Sequence, residues 1–265
     1  MQIKRKSIND IVALKSKGEP VVCLTSYTYP QAQLLDEYCD LLLVGDSLGM
    51  VLYGYESTLP VTVELMIQHG KAVVKGSHKA LIVIDMPFGS YQKSKEQAYE
   101  NCARVLAETG AQAVKLEGGI EIAHIIKHLT DLGIPVMGHI GMKPQYHNIY
   151  GGFAVQGKTE DSKVKVLDDA YAIEKAGAFS FVLESVTKDV AEETCKAVKI
   201  PVIGIGASEK CDGQVLVFED MVGFFDKTPK FVKKFGNVRE VIEKAANSYS
   251  SDVRSRKFPE KNNTY

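Results

Sequence analysis

The stretch Leu41 to Met50 reads LLLVGDSLGM. Its four apolar residues, Leu41 to Val44, run without polar alternation, the pattern of a strand buried on both faces of a helix-covered parallel sheet. The run stops at Gly45-Asp46-Ser47, which sets a carboxylate and a hydroxyl at the strand's C-terminal end. An acid in that position is commonly a helix cap or a turn residue. Here the pattern returns twice: Leu81 to Asp85 (LIVID) ends on Asp85, and Ala113 to Glu117 (AVKLE) ends on Glu117. Three consecutive buried strands that each finish on a carboxylate point to a metal site.

Outward from these three, apolar runs alternate with helical patterns along the chain. Val21 to Leu24, Val136 to Ile140, Phe179 to Leu183 and Val202 to Ile205 read as further strands. Between them lie amphipathic segments with start signals such as the S-x-x-Q of Ser94 to Gln97 and a cap at Thr187. A leading helix, Ser7 to Lys17, offers Ile11, Val12 and Leu14 as its apolar face. Gln214 to Glu219 (QVLVFE) can be read two ways. Only Gly206 to Gly213 separates it from the preceding strand, and a parallel crossover ordinarily takes a dozen or more residues. It is therefore read as a helix capped by Asp212, with Phe231 to Phe235 as the eighth strand. A last helix begins at Asn237, with Val238, Val241, Ile242 and Ala245 as its buried face. The count of eight strands and eight helices predicts a single-domain (β/α)8 TIM barrel over residues 1–265, with an extra N-terminal helix and a polar arm after about residue 250. A doubly wound open sheet stays open as an alternative, since alternation alone does not show closure.

The composition bounds the function. At 265 residues the chain matches the roughly 250 of one barrel. Its net charge of -1 gives no field that favours nucleic acid or an anionic membrane. No apolar run approaches the ~20 residues of a membrane span, and the basic N-terminus lacks an apolar signal core. Five scattered cysteines without CxxC spacing suit reduced thiols in a cytoplasmic protein.

In a barrel the strand C-termini meet at one face, so Asp46, Asp85 and Glu117 would lie on adjacent strands. Hard oxygen ligands with no clustered Cys or His favour Mg²⁺ over Zn²⁺, and Mg²⁺ needs only one or two of the three directly. Separate caps and salt bridges are the competing reading. Lys115, two residues before Glu117, shares its face and suits a substrate carboxylate or an internal ion pair. Glu184 ends the sixth strand, where a partly dry cavity would raise its pKa and fit it for general-base work. His139 is either a substrate contact or a satisfied core histidine. The turn Gly204-Ile205-Gly206-Ala207 is either a phosphate cradle or, more often for such glycines, tight packing.

The segments LTSYTYPQA, VGDSLGMVLYGYESTLPVT, DMPFGSY, KLEGG, GHIGMKPQ, GGFAVQGK, LES and IPVIGIGA with CDGQVLV resemble, in order from about Leu24 to Phe235, the ketopantoate hydroxymethyltransferase family. The resemblance implies transfer of a hydroxymethyl group from 5,10-methylenetetrahydrofolate to 3-methyl-2-oxobutanoate, giving 2-dehydropantoate for pantothenate and coenzyme A. It places metal aspartates on Asp46 and Asp85, a nearby metal glutamate on Glu117, and the catalytic base on Glu184. Substrate contacts fall on Ser47 and Lys115, with Asp46 and Asp85 beside them. It further implies a cytoplasmic homo-oligomer, commonly a decamer. Ser208 departs from the glycine usual after GIGA. A Mg²⁺-dependent 2-oxo acid carbon–carbon lyase or phosphonate-forming mutase is the alternative on the same barrel. Those relatives commonly carry a cysteine-bearing acid–base loop, for which no motif is visible here. A barrel that only binds metal or serves as a scaffold is a third class, disfavoured by the full set of oriented acids.

Overall fold

The computed structural model describes residues 4–265, which fall into two compact units, the first ending at Val217 and the second spanning Phe218–Tyr265. The first unit holds a closed barrel of eight parallel strands in the order β1 to β8. These are β1 Val21–Thr25, β2 Leu41–Val44, β3 Leu81–Asp85, β4 Ala113–Glu117, β5 Val136–Gly141, β6 Ser180–Glu184, β7 Val202–Ile205 and β8 Gly213–Leu216. Helix α1, Ile8–Lys17, precedes them, and α2, Tyr29–Leu35, joins β1 to β2. Between β2 and β3 come the single turn α3, Leu48–Val51, and α4, Val63–Gly76; α5, Lys95–Thr109, and α6, Ile120–Asp131, follow β3 and β4. After β5 come α7, His147–Tyr150, and α8, Glu160–Lys175, and after β6 comes α9, Lys188–Ala197. The second unit contains α10, Phe218–Met221, and α11, Val238–Arg254.

Alternation along each strand decides what the barrel encloses. Leu41, Leu43, Leu81, Val83, Ala113, Met137, Val182, Ile203 and Val215 form one buried apolar cluster. The next residue of the same alternation is Asp85 on β3, Lys115 and then Glu117 on β4, His139 on β5 and Glu184 on β6. One two-residue period thus carries the interior from hydrocarbon to charge. Below, α1 closes the cluster: Ile11 is fully buried in it, with Val12 and Leu14 packed alongside. Burying one such isoleucine contributes about 1.5–3 kcal/mol. Ser7 and Asp10 form a reciprocal capping box that starts this helix.

The eighth strand differs from the sequence expectation. Gly213–Leu216 is a strand paired with both β7 and β1, and residues 231–235 contain no strand. Seven residues, Gly206–Asp212, make the crossover from β7 to β8 with no helix. They suffice because four strand residues rise only ~13 Å, whereas seven extended residues reach ~23 Å. Asp212 is not a helix cap. Its carboxylate accepts the Lys15 ammonium at 2.8 Å and the Val202 N–H at 2.9 Å, and its carbonyl accepts the Val21 N–H at 2.8 Å. The crossover is thereby tied to α1, β7 and β1. Gly213 is required there, since a Cβ would lie 2.5 Å from the Val21 carbonyl oxygen. Ser208 closes the turn: its hydroxyl accepts the Lys210 N–H, and its carbonyl accepts the Gln214 side-chain amide.

Helix α11 starts at Asn237 as expected, with the Asn237 side chain accepting the Glu240 N–H. Its apolar face is not buried: Val238 is half-buried, while Val241, Ile242 and Ala245 are exposed. Periodicity specifies an apolar stripe but not what covers it. The helix continues to Arg254, past the point where a polar arm is expected.

Candidate active site

Six of the residues singled out by sequence converge at the strand C-termini, and five of them, Asp46, Asp85, Lys115, Glu117 and His139, are buried. Strand register sets their neighbours: Asp85 pairs with Lys115 across β3 and β4, Glu117 with His139 across β4 and β5, and Gly141 with Glu184 across β5 and β6. Lys115 Nζ lies 3.1 Å from Asp85 Oδ1 and 3.0 Å from His139 Nδ1. An ammonium only donates, so Nδ1 is the acceptor and the imidazole proton sits on Nε2. That Nε2 is 3.3 Å from Glu184 Oε2, and Nδ1 is 3.6 Å from Glu117 Oε1. His139 is thus a buried histidine that accepts from Lys115 and stands beside Glu184.

Gly45 leaves β2 tightly enough that the Asp46 N–H donates to Asp85 Oδ2 at 3.0 Å. A Cβ at Gly45 would lie 2.7 Å from the Ser47 hydroxyl. Ser47 is held in turn by the Tyr27 hydroxyl at 2.9 Å. The loop after β2 is partly ordered as α3 and linked to α4 by a 3.0 Å contact between Tyr53 and His69.

Burial dominates the electrostatics. It pushes Asp46 up to about 7, with the Asp85 charge adding to the effect. Burial likewise raises Asp85 and, with Asp46, raises Glu117 well above the ordinary carboxylate range. Glu184 is pushed up to about 8 by burial, against the opposing pull of Lys115. For Lys115, burial is outweighed by Asp85, Glu117 and Asp46, and its pKa rises to about 12. Burial and the Lys115 and Lys143 ammoniums hold His139 well below its usual value, so its ring is neutral. Four carboxyl groups thus surround one fixed cation, a charge balance that a further cation would relieve.

The fit to a divalent ion rests on an open oxygen set. Glu117 Oε1 is buried without a hydrogen-bond partner, and buried Asp85 Oδ1 faces the Lys115 ammonium at 3.1 Å. Among the described residues, no group of three or more His, Cys, Asp or Glu side chains is drawn together as a complete ion cage. Mg²⁺ keeps several waters and uses one or two carboxylates, so an open oxygen set of this kind suits it.

Two residues absent from the sequence expectation are central. Gln145 is buried; its amide donates to Asp46 Oδ2 and to the Met86 carbonyl, both at 2.9 Å, and its N–H donates to Glu117 Oε2 at 2.9 Å. Tyr91, fully buried, donates its hydroxyl to Gln145 Oε1 at 2.8 Å and accepts the Glu117 N–H at 3.1 Å. Both sit in loops, where no periodicity marks an inward side chain. Gly204 resolves as a packing glycine, because a Cβ there would lie 2.9 Å from the Cys211 sulfur.

Comparison with known proteins extends this picture. The family model described as ketopantoate hydroxymethyltransferase matches residues 5–261. The 3-methyl-2-oxobutanoate hydroxymethyltransferase of Paramagnetospirillum magneticum is 58% identical over 260 residues, covering 98% of this chain and 94% of that protein. The enzyme of the same name from Rhodospirillum rubrum is 55% identical over 258 residues, covering 97% and 93%. Among solved structures, a phosphonopyruvate hydrolase in complex with oxalate and Mg²⁺ superposes with a TM-score of 0.63 at 12% identity, covering 97% of this chain and 93% of that one. The last is a likeness of fold.

Proposed function

The chain belongs to the ketopantoate hydroxymethyltransferase family and is a hydroxymethyltransferase of the pantothenate route; from that premise we propose how its barrel mouth carries out the transfer. The acceptor is 3-methyl-2-oxobutanoate, the donor is 5,10-methylenetetrahydrofolate, and the product is 2-dehydropantoate. Asp46 and Asp85, with Glu117 beside them, hold Mg²⁺. When bound, the ion supplies Lewis-acid polarisation of the ketone and counter-charge for the enolate oxygen.

This chain's residues do the rest. Lys115, kept cationic by its three carboxylate neighbours, receives the substrate carboxylate, and Ser47 adds a hydroxyl contact at the end of β2. Glu184 removes the proton from C3. Its place at the C-terminal end of β6, beside His139, carries the assignment, and burial, which raises its pKa to about 8, makes its deprotonated form a stronger base than an exposed glutamate. Neutral His139 has its Nε2 3.3 Å from the Glu184 carboxylate. One carbon–nitrogen bond of the donor breaks to leave an iminium at the other nitrogen, the released nitrogen taking up a proton. The C3 carbon, with the electron pair of the broken C–H bond, bonds to that methylene carbon as the iminium pair moves onto nitrogen. Water then supplies the hydroxyl oxygen as the remaining carbon–nitrogen bond breaks, and its other proton goes to the departing nitrogen. The C3 proton held by Glu184 replaces the one used to open the donor. The loop between β5 and α8 excludes bulk water from the carbanion.

The lyase or mutase alternative has only fold likeness at 12% identity in its favour, against 58% for the transferases. Homo-oligomers, decamers by the resemblance, are part of the same reading, and the exposed Val241 and Ile242 stripe supports association between copies. Five cysteines without a disulfide support a cytoplasmic setting, and no helix among the described residues is long and apolar enough to cross a membrane. The test is product formation: 3-methyl-2-oxobutanoate and methylenetetrahydrofolate with Mg²⁺ give 2-dehydropantoate, and chelation stops it. Absence of product with Mg²⁺, Mn²⁺ and Co²⁺ alike would contradict the proposal.

A further inference from the structure

The loop between β5 and α8 is anchored at both ends to the mouth of the barrel. At its start, Gln145 reaches two of the carboxylates at once, Asp46 through its side-chain nitrogen and Glu117 through its backbone N–H, each at 2.9 Å. At its end, the Gln156 N–H donates to the Ser185 carbonyl at 2.8 Å, one residue after Glu184, and the Gln156 carbonyl accepts the Thr187 N–H at 3.0 Å. Between these anchors the chain is open to solvent: Ile149 is 76% exposed and Phe153 60%.

The orientation of the Gln145 amide is fixed by its partners. The Met86 carbonyl can only accept, so the nitrogen must face it and, with it, Asp46 Oδ2; Tyr91 donates to the oxygen on the other side. Each carboxylate engaged by Gln145 has one oxygen committed to that contact. For Glu117 the committed oxygen is Oε2, and Oε1 is left buried without a hydrogen-bond partner. The residue therefore selects which oxygen of the glutamate is open to an ion, as outer partners of metal ligands generally do.

We propose that Gln145 is a positioning residue that ties the loop between β5 and α8 to the Asp46 and Glu117 carboxylates, so that order in the loop and divalent-cation binding are linked. This rests on the reading of those carboxylates as the metal site. Linkage is reciprocal: a cation that holds the carboxylates also holds Gln145 and the loop behind it, and a loop that is loose weakens the cation.

The experiment uses the full chain and Mn²⁺ as probe, with binding read by electron paramagnetic resonance and loop order by backbone hydrogen–deuterium exchange. In the wild type, Mn²⁺ binds and slows exchange over residues 147–157. In Gln145→Met, which keeps the volume and loses the amide, the Mn²⁺ Kd rises by about 10–100-fold. At a Mn²⁺ concentration that saturates this variant, the protection of the loop is smaller than in the wild type. A purely structural role would change thermal stability but leave the Mn²⁺-dependent part of the exchange intact. Tyr91→Phe, which removes only the hydroxyl that orients the amide, shifts both readouts in the same direction by less, and serves if Gln145→Met does not fold. Wild-type protein that binds Mn²⁺, with a variant of equal affinity and equal loop protection, would overturn the linkage alone. Wild-type protein that binds no Mn²⁺ would overturn the metal-site reading and the linkage with it.

Discussion

Lys115 Nζ lies 3.1 Å from Asp85 Oδ1, and both side chains are almost entirely shielded from water. The lysine is a fixed cation amid Asp85, Glu117 and Asp46. Breaking a buried pair by removing one partner costs about 3–5 kcal/mol, because the remaining charge stays buried without compensation. Lys115→Met should therefore lower the urea midpoint at neutral pH and raise the KM for the oxo acid much more than that for the folate. A variant with wild-type stability and an unchanged KM for the oxo acid would remove Lys115 from the site.

Asp85 accepts the Asp46 N–H as well as facing Lys115, so its loss affects both the ion and the turn that presents Asp46. Asp85→Asn keeps the shape and removes the charge. It should weaken Mg²⁺ binding by at least about 10-fold in calorimetry, a scale set by even the outer partners of metal ligands. Unchanged affinity would place the ion elsewhere.

The carboxylates also predict a pH dependence with a definite sign. Asp46 titrates at about 7 and Glu184 at about 8 in the fold, both above their ordinary values. Between about pH 4 and 8 the folded chain thus holds protons that the unfolded chain has released. Stability from these two groups is fully present below about pH 4 and is lost as pH rises through 7 and 8, by at most about 1.4 kcal/mol per pH unit for each group. Urea unfolding of metal-free protein should show this fall between pH 5.5 and 8.5. Mg²⁺ binding at pH 7 should release protons, visible as a buffer-dependent heat in calorimetry. Proton uptake instead would contradict the assignment.

Asp212 joins the Lys15 ammonium and the Val202 N–H at the foot of the β7 to β8 crossover. Asp212→Ala leaves a half-buried ammonium and an N–H without that partner and should cost about 2–3 kcal/mol in unfolding, from the lost charged hydrogen bonds. Its kcat should change little, since the crossover foot lies at the opposite end of β7 from the mouth. A loss of activity without loss of stability would contradict this placement.

What the sequence discloses follows from how each residue is held. Asp85, Glu117, His139 and Glu184 continue the inward alternation of their strands, so that pattern places them inside one ring, whereas Asp46 lies one residue past the inward position Gly45 and reaches the site through the turn after β2. The β8 strand is harder to read because the connection from β7 is shorter than an ordinary parallel crossover, and Val215 fits a helical face as well as a strand interior. The exposed stripe of α11 shows the reverse limit: Val241 and Ile242 mark an apolar face whose cover no periodicity can identify. Gln145 and Tyr91 carry no sequence signal, for a different reason. Their roles come from loops that fold back over the mouth, and nothing in PQY or GSY distinguishes an inward amide or hydroxyl from a solvated one.

The central claim is that Glu184 takes the C3 proton, and proton exchange tests it most directly. In D₂O with Mg²⁺ and 3-methyl-2-oxobutanoate, with and without tetrahydrofolate, NMR should show loss of the C3 proton signal with the wild type. Glu184→Gln should bind Mg²⁺ and the oxo acid as before, yet slow the exchange by about 10²–10⁴-fold, the usual contribution of a positioned general base. Wild-type exchange rates in a folded Glu184→Gln variant would contradict the account and assign the base to another residue.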